Sequence, residues 1–143
     1  EALKEFKRAL AARPSPESNY ALGCASYTLG RYRLATRYLR KAVDLDVTYV
    51  GARYALALSL LQLGESVKAR PELEAVADAD VDEPRLRTEA RRALRTGKPP
   101  AQPKFWGNCR DLKQGLISHG ERRLAEAVRQ DALNTVRTLS FPG

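Results

Sequence analysis

The sequence predicts an all-α protein, an array of antiparallel helix hairpins with a C-terminal capping or accessory helix. First, the segment that starts at Tyr20 matches the segment that starts at Tyr54, 34 residues later. Self-similarity at this period is typical of stacked helix–turn–helix units. Second, apolar residues recur at helical spacing between glycines and prolines. Such an array buries its apolar faces between neighbouring units and works as a binding surface. The matched pairs are Tyr20 and Tyr54, Leu22 and Leu56, Gly30 and Gly64, and Ala35 and Ala69.

The first two helices are expected before Gly30. Residues 1–12 place apolar side chains at helical spacing, and Pro14 ends that helix. Glu17 or Ser18 is expected to open the next helix, which runs to Leu29. Gly30 then accepts the left-handed conformation of a helix C-cap.

Three further helices follow in the repeat region. Residues 32–45 carry a broad apolar stripe, which predicts an amphipathic helix. Asp46 and Thr48 are expected to begin the next helix, and Gly64 to end it. We expect Ser66 to cap the helix that follows. Pro71 lies about one turn into that helix, so the sequence predicts a kink or a late start there.

The last third of the chain contains a capping helix, a linker and a final helical segment. Asp82-Glu83-Pro84 is a helix start, and Thr96-Gly97 followed by two prolines is a stop. Residues 98–108 contain three prolines and are expected to form an extended linker. Within residues 109–143, an apolar stripe predicts a helix from Glu121 to Leu139. It could pack on the end of the array, lie in the groove or join a neighbouring subunit.

Small residues at fixed positions of the 34-residue period carry a family resemblance. They are Gly23, Ala35 and Ala42 in one unit and Ala57 and Ala69 in the next. With Leu22, Gly30-Arg-Tyr32, Leu39 and Asp46, they resemble the tetratricopeptide repeat. The resemblance divides residues 1–97 into a half repeat (1–14), two repeats (16–47 and 50–80) and a capping helix (82–97). We expect Gly23 and Ala57 to lie opposite Ala35 and Ala69, where a larger side chain would overpack the hairpin.

The resemblance also implies a concave groove lined by the first helix of each unit. The groove positions are aromatic and aliphatic rather than charged, and Cys24 and Leu58 stand where a clamp for an acidic chaperone tail requires Asn. We therefore expect the groove to accept a helix or an extended apolar segment of a protein partner. It could instead be filled by the chain's own tail. The expected groove residues are Tyr20, Cys24, Tyr27, Tyr54, Leu58, Leu61 and Gln62.

The positive charge of the chain is concentrated in its second half. Acidic and basic residues balance in residues 1–83, so the net charge of +8 arises entirely from residues 84–143. This distribution fits a capping helix that is polar outside, and it also fits a dock for an acidic protein, for RNA or for anionic lipid. The basic patch consists of Arg85, Arg87, Arg91, Arg92, Arg95 and Lys98.

Few residues indicate catalysis or metal binding. The two cysteines, Cys24 and Cys109, lack paired metal-ligand spacing and are expected to be thiols in a reducing intracellular compartment. His119 is the only histidine, and no phosphate loop, metal cluster or catalytic carboxylate pair is recognisable. We therefore expect no cofactor and no metal. The Phe105-Trp106 pair is expected to anchor in a pocket of this chain or of a partner.

Together these features predict a non-catalytic protein-interaction module, an adaptor or an assembly subunit of a larger complex. Two alternatives stay open: a helical-repeat protein that binds nucleic acid through its basic half, and an accessory region of a larger enzyme. No run of about 18 apolar residues is present, so no membrane-spanning helix is expected. The chain begins with Glu, contains no Met and opens on half a repeat, so we expect a fragment or a processed form.

Overall fold

The fold consists of helix hairpins stacked side by side. The computed structural model describes residues 15–79, 84–101, 103 and 119–138, and within these ranges the regular elements are all helices. The predicted all-α repeat architecture is therefore confirmed. The helices are α1 (Pro16–Thr28), α2 (Tyr32–Leu45), α3 (Val50–Gln62), α4 (Ser66–Ala77), α5 (Pro84–Thr96) and α6 (His119–Thr138).

Helix α1 begins earlier than expected because a capping box precedes the predicted start. The Ser15 side chain accepts a hydrogen bond from the Ser18 backbone N–H at 3.1 Å, and the Ser15 backbone N–H donates to the Ser18 hydroxyl at 3.2 Å. These reciprocal bonds satisfy two backbone donors that a helix start leaves unpaired. Pro16 fits the first turn, where its missing N–H costs nothing. The expected opening at Glu17 or Ser18 is thus wrong by one or two residues.

Glycines end the first helix of each hairpin, as predicted. Gly30 and Gly64 both have a φ of +76°, in the left-handed region that a side chain disfavours. A Cβ atom at either position would meet no atom within 4 Å, so backbone conformation, not space, requires glycine there.

The starts of α3 and α4 differ from the expectation. Oδ1 of Asp46 accepts bonds from the Thr48 backbone N–H at 3.0 Å and from its hydroxyl at 2.6 Å, so these residues form a turn before α3. In α4, Ser66 is the first helical residue, and the N-cap is Glu65, which makes no side-chain capping bond. Pro71 lies inside the continuous helix, so the predicted late start is wrong.

Each helix packs on its neighbours in chain order. Helix α2 lies against α1 and α3, and α4 lies against α3 and α5. The first helices of successive hairpins, α1, α3 and α5, also touch one another. One apolar cluster runs through the stack from Tyr20 to Ala93. This continuity is what a repeat array requires, because no single hairpin buries its apolar face alone.

Helices α1 and α2 pack tightly at Gly23. A Cβ atom at this position would lie 2.6 Å from Cδ2 of Leu39 and would also overlap its Cγ. Leu39 is fully buried, so its side chain would have to shift within the core. The expected partner of Gly23 was Ala35, which is buried in the same core. The absence of a side chain at Gly23 therefore makes room for Leu39, which lies one turn beyond Ala35 on α2.

Helix α6 folds back onto the first hairpin. Of the three expected positions, it therefore occupies the end of the array rather than the groove or a neighbouring subunit. Ala132 and Val136 are fully buried in a second cluster with Ala21, Leu22 and Ala25 of α1. The Arg31 guanidinium, just after α1, donates to the Val136 carbonyl near the end of α6. The carboxyl ends of α1 and α6 therefore lie together. A cation at a helix C-terminus also complements the helix dipole.

Some expectations fall outside the described residues. These include the half repeat over residues 1–14, the anchor pair Phe105 and Trp106, and Cys109. Among the helices that the structure describes, none is both long enough and apolar enough to cross a membrane.

Substituting Gly23 by leucine is expected to destabilise the fold. The added side chain overlaps Leu39, and overpacking of this kind costs about 1–3 kcal/mol. For a chain of this size we expect the melting temperature to fall by roughly 2–4 °C per kcal/mol, measured by circular dichroism. The matched control is Arg33→Leu, which places leucine at an exposed position of α2. Equal melting temperatures for the two variants would show that Gly23 is not at a tight helix crossing.

Candidate partner-binding groove

The seven expected groove residues come together, but most of them lie in the core. Leu61 is half-buried against the cluster formed by the buried members, and Gln62 is exposed. A partner meeting the folded chain therefore reaches Leu61 and Gln62 more readily than the other five. Less than a tenth of the residue surface is exposed at Tyr20, Cys24, Tyr27, Tyr54 and Leu58.

This burial changes how the groove can be tested. Removing the side chain of Tyr54 or Leu58 would leave a cavity in the core, at a cost of about 2–5 kcal/mol. Any loss of partner binding in such a variant would be confounded by loss of stability. Exposed positions at the same edge of the array, Gln62 above all, separate the two effects.

Two tyrosine hydroxyls connect the first helices across the groove. Gln62 Nε2 donates to Tyr27 Oη at 2.9 Å, which joins α3 to α1. Tyr54 Oη donates to Glu89 Oε2 at 3.5 Å, which joins α3 to α5. In each pair the partner follows the tyrosine by 35 residues, one more than the 34-residue period, so each contact joins neighbouring units of the array. The second distance is at the outer limit for a hydrogen bond.

Aromatic contacts fix the tyrosines in place. The rings of Tyr20 and Tyr49 have centroids 5.1 Å apart, and those of Tyr27 and Tyr32 meet edge to face at 5.0 Å. Both separations lie within the range that favours aromatic pairs. The rings of Tyr20 and Tyr27, at two of the expected groove positions, are therefore held by aromatic packing.

The electrostatic environment keeps the groove tyrosines neutral. Burial raises the pKa of Tyr54, and the nearby Glu89 carboxylate raises it further, whereas Arg92 lowers it. Burial likewise raises the pKa of Tyr27, while its hydrogen bond from Gln62 acts in the opposite direction. Neutral hydroxyls can both donate and accept hydrogen bonds.

Sequence reasoning missed two residues of this region, Tyr49 and Glu89. Tyr49 lies just before α3, outside the helical groove positions, and is buried against Tyr20. Glu89 is the single acidic residue of α5 and was not considered beside so many arginines. Glu89 follows Tyr54 by 35 residues, as Gln62 follows Tyr27. This shared spacing was the sequence signal that could have indicated the contact.

The predicted basic patch lies on α5, as the helical spacing indicates. Leu86, Ala90 and Ala93 are buried toward the array, as expected. Arg91 donates to the Ala77 carbonyl of α4 at 3.5 Å, a weak contact at the edge of the patch. Arg87 is half-buried, and the remaining members are exposed: Arg85, Arg91, Arg92, Arg95 and Lys98.

No reactive centre is evident in the parts of the chain that the structure describes. They contain no group of three or more His, Cys, Asp or Glu residues placed to hold a metal ion. Cys24 is a buried thiol outside any disulfide. What the region offers chemically is a row of packed tyrosines with neutral hydroxyls, an exposed amide and a half-buried carboxylate.

The raised pKa of Tyr54 predicts a loss of stability at alkaline pH. In the unfolded chain tyrosine ionises near pH 10, while buried Tyr54 keeps its proton. The unfolded state then binds fewer protons, so stability falls as the pH rises above about 10. We expect Tyr54→Phe to lessen the drop in melting temperature between pH 9 and pH 11. An unchanged drop in this variant would argue against Tyr54 as its source.

Comparison with known proteins is consistent with the repeat architecture. One family model matches residues 1–76, more than half of the 143 residues, and this family has repeats of the tetratricopeptide type. The resemblance inferred from the small residues is thus confirmed. Neither the search of curated proteins nor that of solved structures gave a significant match. The chain belongs to the family described as anaphase-promoting complex, cyclosome, subunit 3.

Proposed function

We propose that this chain is a non-catalytic interaction module that binds a helix or an extended peptide of a protein partner along its concave side. The family indicates a protein-interaction or assembly-subunit role, with protein partners in a multi-subunit complex. Our proposal adds the site on this chain where the partner binds and the kind of segment by which the partner is recognised.

The observation that carries this proposal is the alignment of the three first helices. Tyr27 and Gln62 join α1 to α3, and Tyr54 and Glu89 join α3 to α5. The two contacts fix one continuous side of the array. Gln62 is exposed at the carboxyl end of α3, the middle one of the three helices, and Leu61 is half-buried beside it. An elongated partner that follows this side can contact all three helices at once.

The chemistry of this side favours a partner with apolar and hydrogen-bonding groups. Tyrosine offers a flat apolar ring and a hydroxyl at low conformational cost, which is why it is enriched at interfaces. Gln62 offers an amide that can pair with the backbone of an extended peptide. A helix or strand that buries an apolar face here therefore fits better than a strongly charged ligand.

Binding of nucleic acid through the basic half remains the alternative. The exposed arginines of α5 support it. Against it stands the lack of any aromatic residue in α5 on which a base could stack. The two functions differ in their response to salt, because binding to phosphates weakens steeply as salt rises.

The test starts from partners that co-purify with the full chain and measures their affinity for variants. Gln62→Arg breaks the bond to Tyr27 and places a bulky charge in the groove, so we expect at least tenfold weaker binding. Raising salt from 50 to 500 mM is expected to change the affinity of the unmodified chain less than threefold. Both effects are measured by titration with purified partner.

The matched control is Val67→Arg. This residue is 85% exposed on α4, a second helix of its hairpin, so it adds the same charge away from the groove. The control should bind like the unmodified chain, and both variants should keep their melting temperatures. Equal binding by Gln62→Arg and Val67→Arg would exclude the groove as the site, and a steep salt dependence would favour the nucleic-acid alternative.

A further inference from the structure

The exposed face of α5 carries cations that have no ion pair among the described residues, as α2 does with its exposed Arg33, Arg40 and Lys41. Arg85, Arg92 and Arg95 are exposed, and none of them lies within the 4.0 Å salt-bridge limit of a carboxylate among the described residues. By contrast, Arg53 on α3 pairs with Glu72 on α4 at 2.9 Å. Among the described residues, an ion pair therefore joins the two helices of a hairpin, whereas these three guanidinium groups at the end of the stack have none.

These cations form an ordered surface on a fixed helix. Helix α5 is held by buried Leu86, Ala90 and Ala93, which pack into the main core. Arg85 and Arg95 are separated by ten residues, or about 15 Å along the helix. A rigid row of this length matches several successive side chains of an extended or helical partner. Because the helix is already ordered, a ligand would fix only the arginine side chains.

Helix α5 contains one carboxylate, that of Glu89, and its negative charge affects which ligands the exposed face can bind. Glu89 is half-buried and accepts the Tyr54 bond. It lies four residues after Arg85 and three before Arg92, so the three side chains share one side of the helix. A continuous phosphate backbone that follows Arg85 and Arg92 would pass this negative charge. Discrete carboxylates on a protein chain can avoid it and still pair with individual arginines.

We propose that the exposed face of α5 is a second docking surface, which binds an acidic segment of a protein partner through Arg85, Arg92 and Arg95. Guanidinium groups match the geometry of carboxylates and bind them with paired hydrogen bonds. A nucleic acid is the less suitable partner, because α5 has no aromatic side chain for base stacking. This surface lies beside the groove and does not require the groove to be occupied.

The test uses a fluorescently labelled peptide of ten glutamates as the probe. Its binding to the full chain is followed by anisotropy at 50 mM salt. We expect binding by the unmodified chain and at least a tenfold loss in the triple variant Arg85→Gln/Arg92→Gln/Arg95→Gln. The matched control, Arg33→Gln/Arg40→Gln/Lys41→Gln, removes the same charge from exposed positions of α2 and should lose less than threefold.

Three results would overturn the proposal. Absence of peptide binding would show that the arginines are only a solvated cap. Equal losses in the two triple variants would show attraction by net charge alone. Tighter binding of a ten-nucleotide single-stranded DNA, lost in the α5 variant, would assign the face to nucleic acid. Circular dichroism confirms that each variant is folded, and Gln62→Arg should bind the peptide normally, so this result is independent of the groove test.

Discussion

The contact between Gly23 and Leu39 is the constraint on which the array depends. It sets how closely α1 and α2 approach, because any side chain at Gly23 would overlap the buried leucine. A glycine inside a helix costs about 1 kcal/mol relative to alanine, so the close packing must offset that cost. With this hairpin closed, α1 presents Ala21 and Ala25 to α6 on one side and Tyr27 to Gln62 of α3 on another.

The sequence repeat that places the helices side by side also determines which side chains are buried between them and which are exposed. Tyr27 and Tyr54 reach the next first helix 35 residues along, so each tyrosine belongs to two units. As a result, five of the residues expected to line a binding groove are part of the core, and of the seven only Leu61 and Gln62 are partly or fully exposed. At the far end no further hairpin is present in the described residues to cover α5, and the arginines of its outer face meet solvent.

The sequence allowed prediction of features that are governed by local chemistry. The helix 32–45, the left-handed Gly30 and Gly64, and the inward face of α5 follow from periodicity and backbone preference. Some failures were also local, since Ser66 is the first residue of α4 rather than its cap. Others depended on contacts between helices. The position of α6 rests on a match between Val136 and α1, and the burial of Tyr20 depends on Tyr49 and its neighbours. Spacing along one helix contains neither, and it did not indicate Leu39 as the side chain nearest to Gly23.

The most direct test is a double-mutant cycle at the Gly23–Leu39 contact, measured by urea unfolding. Gly23→Ala adds the clash, Leu39→Ala leaves a cavity, and the double variant lets the new methyl group occupy part of that space. The helix-propensity gain from alanine is the same in both backgrounds and cancels. We predict that the double variant loses less free energy of unfolding than the sum of the single losses, by about 1 kcal/mol or more. Losses that add to within about 0.5 kcal/mol would contradict the close approach on which this account of the fold depends.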